Sequence, residues 1–578
     1  MRRYYRSALC ILALSAACGE VERPPSGLLI TLDTTNPEAL SCYGAPAGWT
    51  PHLDRLANEG VLFEEARTVA PITLPAHASM FTGLTPLRHT VRRNGSMVVP
   101  PEARTLAELA REKGMRTAAF VAGVVLDSEF GLDQGFETYV DPQTPANVEE
   151  HLEASRPAGE IVEEAIAWLG GVREDEPFFL WVHFYDPHFP YKPPGDWLSK
   201  AKGDAYLAEV GAMDAALGRL LEYMEERGRF DDTFICAVAD HGEGRGRNGE
   251  DTHGYFVFDT TLNVPLIVRP LTGQGSAGTR VDSPVSVVDV FPTFVNALGL
   301  GAAGDIDGVD LLAGPLAADR GVYFESYFGV VAFHWSQLAG WADAEGKFIH
   351  SSQPEFFALK ADPAESTNLF GSRPELAEPY RAAVEALCAR PRLEHELLDD
   401  EYLGLMGQIE RLGYAGAYTD EVGAPEPLEP STAPSPHERI QVYSDFTRAR
   451  RLMVEEGDMA QAGALLARVV RSNPANHKAQ FHLGMCLKDT ERFVEAIAAF
   501  RAALQYRGGE RIPAELNLAV CYYNVGQTGL AIDHLKSALE ETVGPPGAMK
   551  LLIQLLDQAG REAEAQRYRE RLRRLSST

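Results

Sequence analysis

Two apolar runs of the sequence each end in side chains that bind metal ions. Residues 27–32 lead to Asp33, and residues 234–239 lead to Asp240 and His241. Apolar runs of this length predict buried strands, and open α/β sheets place ligand chemistry at the carboxyl ends of their strands. The three side chains are therefore predicted to meet at one sheet edge and to hold a divalent cation. Zinc or manganese suits carboxylate and imidazole ligands best, and calcium is an alternative.

A third run, residues 178–184, has the same layout and leads to Asp186 and His188. His253 follows the Asp240 segment. These side chains are expected at the same sheet edge, because the carboxyl ends of parallel strands lie together.

Residues 73–83 predict a short helix that starts with a hydroxyl. Thr73 is expected to cap this helix, with Pro75 in its first turn and Gly83 as its end. A hydroxyl at a helix N-terminus faces free backbone N–H groups and the positive end of the helix dipole, a setting that favours phosphate or sulfate. His77 is expected to point back towards the Thr73 hydroxyl. An ordinary helix cap is the alternative role for Thr73.

Several motifs resemble those of the sulfatase branch of the alkaline phosphatase superfamily. The resemblance covers residues 27–410, in the order of that family, and implies a metal-dependent ester-cleaving enzyme. It implies an α/β fold: a mostly parallel sheet sandwiched by helices, with a small C-terminal subdomain. The motifs include Leu32-Asp33-Thr34, Thr73-Leu74-Pro75-Ala76-His77, Asp240-His241-Gly242-Glu243 and Thr252-His253-Gly254.

Three positions depart from the sulfatase pattern. Sulfatases have Cys or Ser, converted to formylglycine, where this chain has Thr73, an Arg where it has His77, and a second Asp where it has Thr34. Threonine cannot become formylglycine because its β-carbon already bears a methyl group. The resemblance therefore implies that the Thr73 hydroxyl, beside the metal, attacks the ester itself. Its covalent ester must be broken by a second attack at phosphorus or sulfur, which favours a phosphorus substrate and leaves sulfate open.

The Thr-x-Pro-x-His arrangement at Thr73 and His77 is similar to the nucleophile motif of nucleotide pyrophosphatases/phosphodiesterases. By that resemblance Asn94, 21 residues after Thr73, donates hydrogen bonds to the charge that develops on the transferred group. The alternative role of Asn94 is that of a turn residue before Gly95.

Relatives imply two roles for Asp186, His188 and His253. In two-zinc relatives the corresponding groups hold a second cation. One-metal relatives use a His and a Lys at the positions of His188 and His253 to bind substrate or to protonate the leaving group. The Asp186–His188 spacing is tighter than the two-zinc pattern, so the second role is favoured and a second metal stays an alternative.

Residues 1–18 resemble a bacterial lipoprotein signal. A basic start precedes an apolar stretch and Cys18, which would become the lipidated first residue. Leu14 stands four rather than three positions before Cys18, so plain cleavage and secretion remain the alternative. No other stretch is long and apolar enough to span a bilayer. The protein is therefore expected in the bacterial cell envelope, lipid-anchored in the periplasm or outer membrane, or else secreted.

The domains are predicted as a catalytic core at 27–315, a C-terminal subdomain at 316–415, a Pro-rich linker at 416–437 and helical repeats at 438–575. The net charge of −29 at pH 7 argues against nucleic acid as a partner.

The C-terminal residues repeat with the period of tetratricopeptide-like helical hairpins. Four alanines recur at spacings of 34, 35 and 34 residues, and glycines mark the turn of each hairpin except the second, where Glu491 stands. An all-α solenoid of this kind docks a protein or peptide partner, or serves as a structural or dimerising appendage. The alanines are Ala462, Ala496, Ala531 and Ala565, and the glycines are Gly457, Gly526 and Gly560.

The leading functional prediction is an exported metal-dependent hydrolase of phosphate mono- or diesters or sulfate esters, with a small-molecule, glycan or lipid substrate. The alternatives are a sulfatase proper and a transferase that moves a phosphoryl-linked head group onto an envelope glycan or lipid. A transferase would more often carry several membrane spans. A binding protein without catalysis is disfavoured because Asp33, Thr73, Asp240 and His241 occur together.

Overall fold

The computed structural model describes residues 24–575 except 96, 143–155, 273–276, 318, 395, 398–423, 506–510 and 542–545. The signal segment with Cys18 lies outside the described residues, as does part of the predicted subdomain and linker. Among the described helices, none combines the length and the apolar character needed to cross a bilayer.

Sixteen strands are described. They are β1 Ser26–Leu32, β2 Val61–Phe63, β3 Ala66–Arg67, β4 Met97–Val98, β5 Arg116–Phe120, β6 Thr138–Val140, β7 Phe178–Phe184, β8 Thr233–Ala239, β9 Leu266–Arg269, β10 Thr279–Val281, β11 Val285–Ser286, β12 Val322–Ser326, β13 Leu338–Ala342, β14 Lys347–His350, β15 Glu355–Phe357 and β16 Glu396–Leu397.

Nineteen α-helices are described. They are α1 Pro51–Glu59, α2 Thr73–Thr82, α3 Pro86–His89, α4 Leu106–Glu112, α5 Ala158–Gly171, α6 Trp197–Lys200, α7 Ala205–Glu226, α8 Asp259–Leu262, α9 Val290–Ala297, α10 Phe328–Phe333, α11 Glu378–Cys388, α12 Ile440–Arg451, α13 Met459–Ser472, α14 His477–Asp489, α15 Phe493–Ala503, α16 Arg511–Asn524, α17 Thr528–Glu541, α18 Pro546–Gln558 and α19 Glu562–Leu575.

The central sheet has eight strands in the order β10-β2-β9-β8-β1-β7-β5-β6. Strand β9 runs antiparallel to β8 and β2, and the remaining neighbours pair in parallel. Every residue of β1, β7 and β8 is buried, which explains why these strands read as unbroken apolar runs. Helices α1, α4, α5 and α9 pack against the sheet. The predicted α/β fold with a mostly parallel sheet is confirmed.

A smaller antiparallel sheet, in the order β12-β13-β14-β15, comes after the central one in the chain. Helix α11 packs against β13 and β14. The described part of the Pro-rich segment, residues 424–437, lies beside this sheet. The Gln337 side chain donates to the carbonyls of Glu426 and Glu429, and Tyr327 donates to that of Pro425. Residues 425–429 are therefore held against the smaller sheet.

The last eight helices form four pairs joined by short turns. The predicted turn residues Gly457, Glu491, Gly526 and Gly560 all have positive φ, from 61° to 79°. The four recurring alanines are fully buried. These positions behave as the repeat pattern predicts, although the tetratricopeptide assignment and the domain limits stay predictions.

Candidate active site

Asp33, Asp240 and His241 meet in one buried cluster. One ligand atom from each lies within 4.8 Å of the others. Strands β1 and β8 are parallel neighbours, with Leu32 opposite Ala239, so the residues that come after them leave the sheet together. Both carboxylate oxygens of Asp33 and Oδ2 of Asp240 have no hydrogen-bond partner among the described residues. Such buried oxygens are costly, and a divalent cation would satisfy them, so these residues fit a metal site.

The electrostatics of this cluster also favour a cation. Burial, followed by repulsion from Asp240 and Glu243, raises the pKa of Asp33. Burial raises the pKa of Asp240 as well. Burial and the neighbouring His253 imidazole lower the pKa of His241, which keeps His241 in the neutral form that binds metals.

Thr73 is the first residue of α2, and Ile72 occupies the cap position without a side-chain cap. The prediction that Thr73 caps the helix was therefore wrong by one residue. The cap is instead supplied by Asn94, whose Oδ1 accepts from the Leu74 backbone N–H at 2.9 Å. The Thr73 hydroxyl is thereby left for other contacts, and its Oγ1 lies 3.3 Å from Nε2 of His241.

The other end of the Asn94 amide is available to a ligand. Asn94 is 1% exposed, and its Nδ2 has no hydrogen-bond partner among the described residues. A buried amide nitrogen beside Thr73 is placed to donate to an anion bound there.

His77 contacts the backbone of Thr73 rather than its hydroxyl. Its Nδ1 donates to the Thr73 carbonyl at 2.8 Å and lies 3.7 Å from Oδ2 of Asp240. In a helix the carbonyl of residue i points towards residue i+4, so His77 reaches the carbonyl before the side chain.

His183 was missed from the sequence. With His77 and Asp240 it forms a second group whose ligand atoms lie within 4.8 Å of one another, and its Nε2 is 3.9 Å from Oδ2 of Asp33. His183 lies inside the apolar run of β7, where only its polarity and its place one residue before the strand end could have indicated a role.

His188 and His253 both reach the cluster. The His253 ring lies 4.3 Å from that of His241 and 5.2 Å from that of His188. Asp186 points elsewhere: its Oδ2 accepts from the Ala158 backbone N–H at 2.8 Å. Among the described residues, the groups able to hold a metal do not include Asp186, and a second cation there stays a prediction.

Glu243 is a further buried acid in this site. Its Oε1 lies 3.6 Å from Nδ1 of His253, and burial raises the pKa of Glu243 to about 8. The Asp-His-Gly-Glu motif contains it, but the motif alone did not indicate a role.

The sulfatase family model matches residues 25–300, which include every element that carries this cluster. These residues are therefore similar to the sulfatase family. Over 335 aligned residues the chain is 25% identical to an ulvan-active sulfatase of Formosa agariphila. That alignment covers 50% of this chain and 64% of the relative, so the chain spans a little under two thirds of it.

Two further proteins are similar over a longer stretch. An N-acetylglucosamine-6-O-sulfatase of Bacteroides thetaiotaomicron is 24% identical over 492 residues, covering 64% of this chain and 86% of that one. The crystal structure of the phosphonate monoester hydrolase of Agrobacterium radiobacter aligns with a TM-score of 0.52 and 25% identity, over 63% of this chain and 95% of that one. These similarities support a hydrolase of ester bonds.

Proposed function

We propose that this chain is an exported, metal-dependent hydrolase that cleaves phosphate or sulfate esters with Thr73 as nucleophile. The observation that carries the proposal is the position of the Thr73 hydroxyl. It lies at the N-terminus of α2, 3.3 Å from Nε2 of His241, beside the buried carboxylates and the free amide of Asn94. A nucleophile, candidate metal ligands and the positive end of a helix dipole therefore lie together in one buried cluster.

Asp33, Asp240 and His241 would hold the cation, with the Thr73 oxygen beside it. When bound, a divalent ion there lowers the pKa of a nearby hydroxyl and neutralises charge on the group attacked. The Thr73 hydroxyl gives up its proton to water, its oxygen attacks phosphorus or sulfur, and the bond to the leaving oxygen breaks. The donor Nδ2 of Asn94 binds a non-bridging oxygen, at the positive end of the α2 dipole. Water then attacks the Thr73 ester and releases the acid.

His188 and His253 are the groups proposed to protonate the leaving oxygen. Burial lowers the pKa of both, that of His253 to about 4, so both are neutral in the free protein at pH 7. A bound anionic ester supplies the opposite charge that favours the imidazolium form. Proton donation is therefore coupled to substrate binding.

A threonine nucleophile favours phosphorus esters, since its covalent ester has no carbonyl to re-form. The similarity to a phosphonate monoester hydrolase supports that substrate class. The two similar sulfatases support sulfated glycans as the competing class. The assay has to compare both.

The test is metal-supplemented turnover of aryl phosphate monoesters, phosphodiesters, phosphonates and sulfates. Thr73→Ala removes the nucleophile. Thr82→Ala is the matched control, because Thr82 is buried in the same helix and its hydroxyl bonds the Ala78 carbonyl and the Leu84 N–H, neither of which belongs to the site. We expect phosphorus-ester turnover that falls at least about 1,000-fold in Thr73→Ala and survives in Thr82→Ala.

Other outcomes have distinct meanings. Sulfate turnover that depends on Thr73 would make the chain a sulfatase without formylglycine. Transfer of the head group to an added glycan or lipid would favour the transferase. Turnover that survives in Thr73→Ala would contradict the proposed site.

Export and anchoring are proposed from the amino-terminal signal alone. A Cys18→Ser variant that no longer incorporates labelled fatty acid would support lipidation, whereas unchanged fractionation would favour plain secretion. The helical pairs are proposed to dock a protein or peptide partner.

A further inference from the structure

His253 lies on an irregular segment. Residues 250–256, called here the His253 segment, contain no helix or strand. Its conformation must therefore come from side chains and neighbouring elements rather than from a regular ladder of hydrogen bonds.

One side of the His253 segment is held by the catalytic domain. The backbone N–H groups of Gly244 and Arg245 donate to the carbonyls of Thr252 and Asp251. The Glu250 carboxylate accepts from the N–H groups of Tyr255 and Phe256. These contacts hold the backbone of residues 251, 252, 255 and 256. They leave the side chains of Asp251 and Thr252 to other partners.

The other side is held by α12, the first helix of the C-terminal array. The Tyr443 hydroxyl lies 3.1 Å from Oγ1 of Thr252. The Asp251 carboxylate accepts from Thr447 at 3.1 Å and from Arg451 at 3.2 Å. Helix α12 therefore contacts the two residues that precede His253.

The ring of Tyr443 also contacts residues on the C-terminal side of His253. Its centroid is 4.5 Å from that of Tyr255 and 5.6 Å from that of Phe256. Tyr443 is fully buried. One side chain of the helical array thus contacts the His253 segment both before and after the histidine.

The approach of α12 is close. A Cβ built on Gly249 would come within 2.1 Å of Ile440, the first residue of α12. The glycine has a φ of 78°, so a larger residue would be excluded by both the backbone and the helix. The position directly before the His253 segment therefore fits closely against α12.

We infer that Tyr443 is a positioning residue for His253, and that the first helical pair is part of the catalytic unit. Tyr443 acts through Thr252 and Tyr255, which flank the histidine. The kinetic consequence rests on the proposed role of His253 in protonating the leaving oxygen.

The first test does not depend on activity. Tyr443→Phe removes the hydroxyl and keeps the ring, and Thr252→Val removes the partner hydroxyl. Tyr522→Phe is the matched control, because Tyr522 is buried in a separate cluster of the same array. In hydrogen–deuterium exchange on the full-length protein, we expect peptides spanning 250–256 to exchange about fivefold faster in Tyr443→Phe, the factor for one buried neutral hydrogen bond. Unchanged exchange in both Tyr443→Phe and Thr252→Val would overturn the inference.

The second test separates positioning from a general loss of structure. With aryl esters whose leaving groups differ in acidity, Tyr443→Phe should lower kcat about tenfold for the least acidic leaving group and little for the most acidic one, with KM unchanged. A merely structural role would lower both alike. If His253→Ala shows the leaving-group dependence and Tyr443→Phe does not, the inference fails while the proposed function stands. If His253→Ala has no effect, the proposed acid is wrong, and the exchange rates alone decide the role of Tyr443.

Discussion

The amide of Asn94 is expected to have two separable functions, capping of α2 and donation of a hydrogen bond to the transferred group. Two substitutions distinguish them. Its Oδ1 caps α2 through the Leu74 N–H at 2.9 Å, and its Nδ2 is buried without a partner among the described residues. Asn94→Ala removes both functions. Asn94→Asp keeps an oxygen acceptor for the cap, where a negative charge suits the helix N-terminus, and removes the donor.

The magnitudes can be worked out from these contacts. Loss of a side-chain cap costs about 1 kcal/mol of stability, and this cost applies to Asn94→Ala alone. Loss of one donor to the developing charge raises the barrier by about 2.7–4 kcal/mol, which lowers kcat about 100- to 1,000-fold, and this cost applies to both variants. We therefore expect kcat to fall in both variants, at least as far in Asn94→Asp because its carboxylate also repels the anionic group, and a larger loss of stability in Asn94→Ala.

The assay is kcat and KM on the best phosphorus ester, with the midpoint of urea unfolding measured for the same preparations. Asn296→Ala is the control, because its amide makes an exposed bond to Asp310. If Asn94→Asp keeps kcat within about threefold of the parent, Asn94 is a structural cap and its donor has no part in catalysis.

Three further predictions concern other parts of the molecule. Removal of divalent ions with a chelator should abolish turnover and lower the melting temperature, because the buried carboxylates then repel each other. Adding back zinc, manganese or calcium one at a time identifies the metal. An unchanged melting temperature after verified removal of the ions would argue against the metal site. Asp259→Asn should cost about 3 kcal/mol in urea unfolding at pH 7, because Asp259 bonds the buried Arg67 and Lys347. Burial acts to raise the pKa of Asp259, but these cations hold it well below the ordinary 3.8. Its stabilisation is therefore fully present above that pH and is lost progressively as the pH falls from there towards the lower pKa of the folded protein. A difference in unfolding free energy between variant and parent that stays constant from pH 7 to pH 3 would contradict this. Glu491→Gly should stabilise the second helical pair by up to about 1 kcal/mol, because φ is 61° at Glu491 and a residue with a side chain is strained there. Gly526→Ala should destabilise the third pair for the same reason. Thermal unfolding checks both variants, and a loss of stability in Glu491→Gly would show that Glu491 is not strained.

The strands that carry the site could be predicted almost to the residue. β1, β7 and β8 are buried along their whole length, so their hydrophobicity alone predicts them. β1 and β8 end directly before Asp33 and Asp240, and β7 ends two residues before Asp186. The turn at Glu491 was equally visible, because the repeat spacing located it even though glutamate rarely adopts positive φ.

Features that depend on distant residues could not be predicted in the same way. The cap of α2 comes from Asn94, 20 residues beyond Leu74, so the local pattern pointed to Thr73. His183 lies within an apolar run of the sequence, so its role is not evident from the pattern. The rings of His183 and His77 are 5.1 Å apart only because α2 packs near β7. The contact of Tyr443 with Thr252 joins positions 191 residues apart, and no periodicity reports such a contact.

The apolar cores of the molecule do not coincide with the divisions suggested by the sequence. One core contains Tyr255, Phe333 and Trp335 of the preceding part together with Phe446 and Leu466 of the helical array. The next core begins only at Leu487. Calorimetry should therefore record the first helical pair melting with the part of the chain that precedes it, and the later pairs as a separate transition. A chain cut at the Pro-rich segment would expose an aromatic face and aggregate, so the smallest enzyme that remains dispersed in water extends into the second pair.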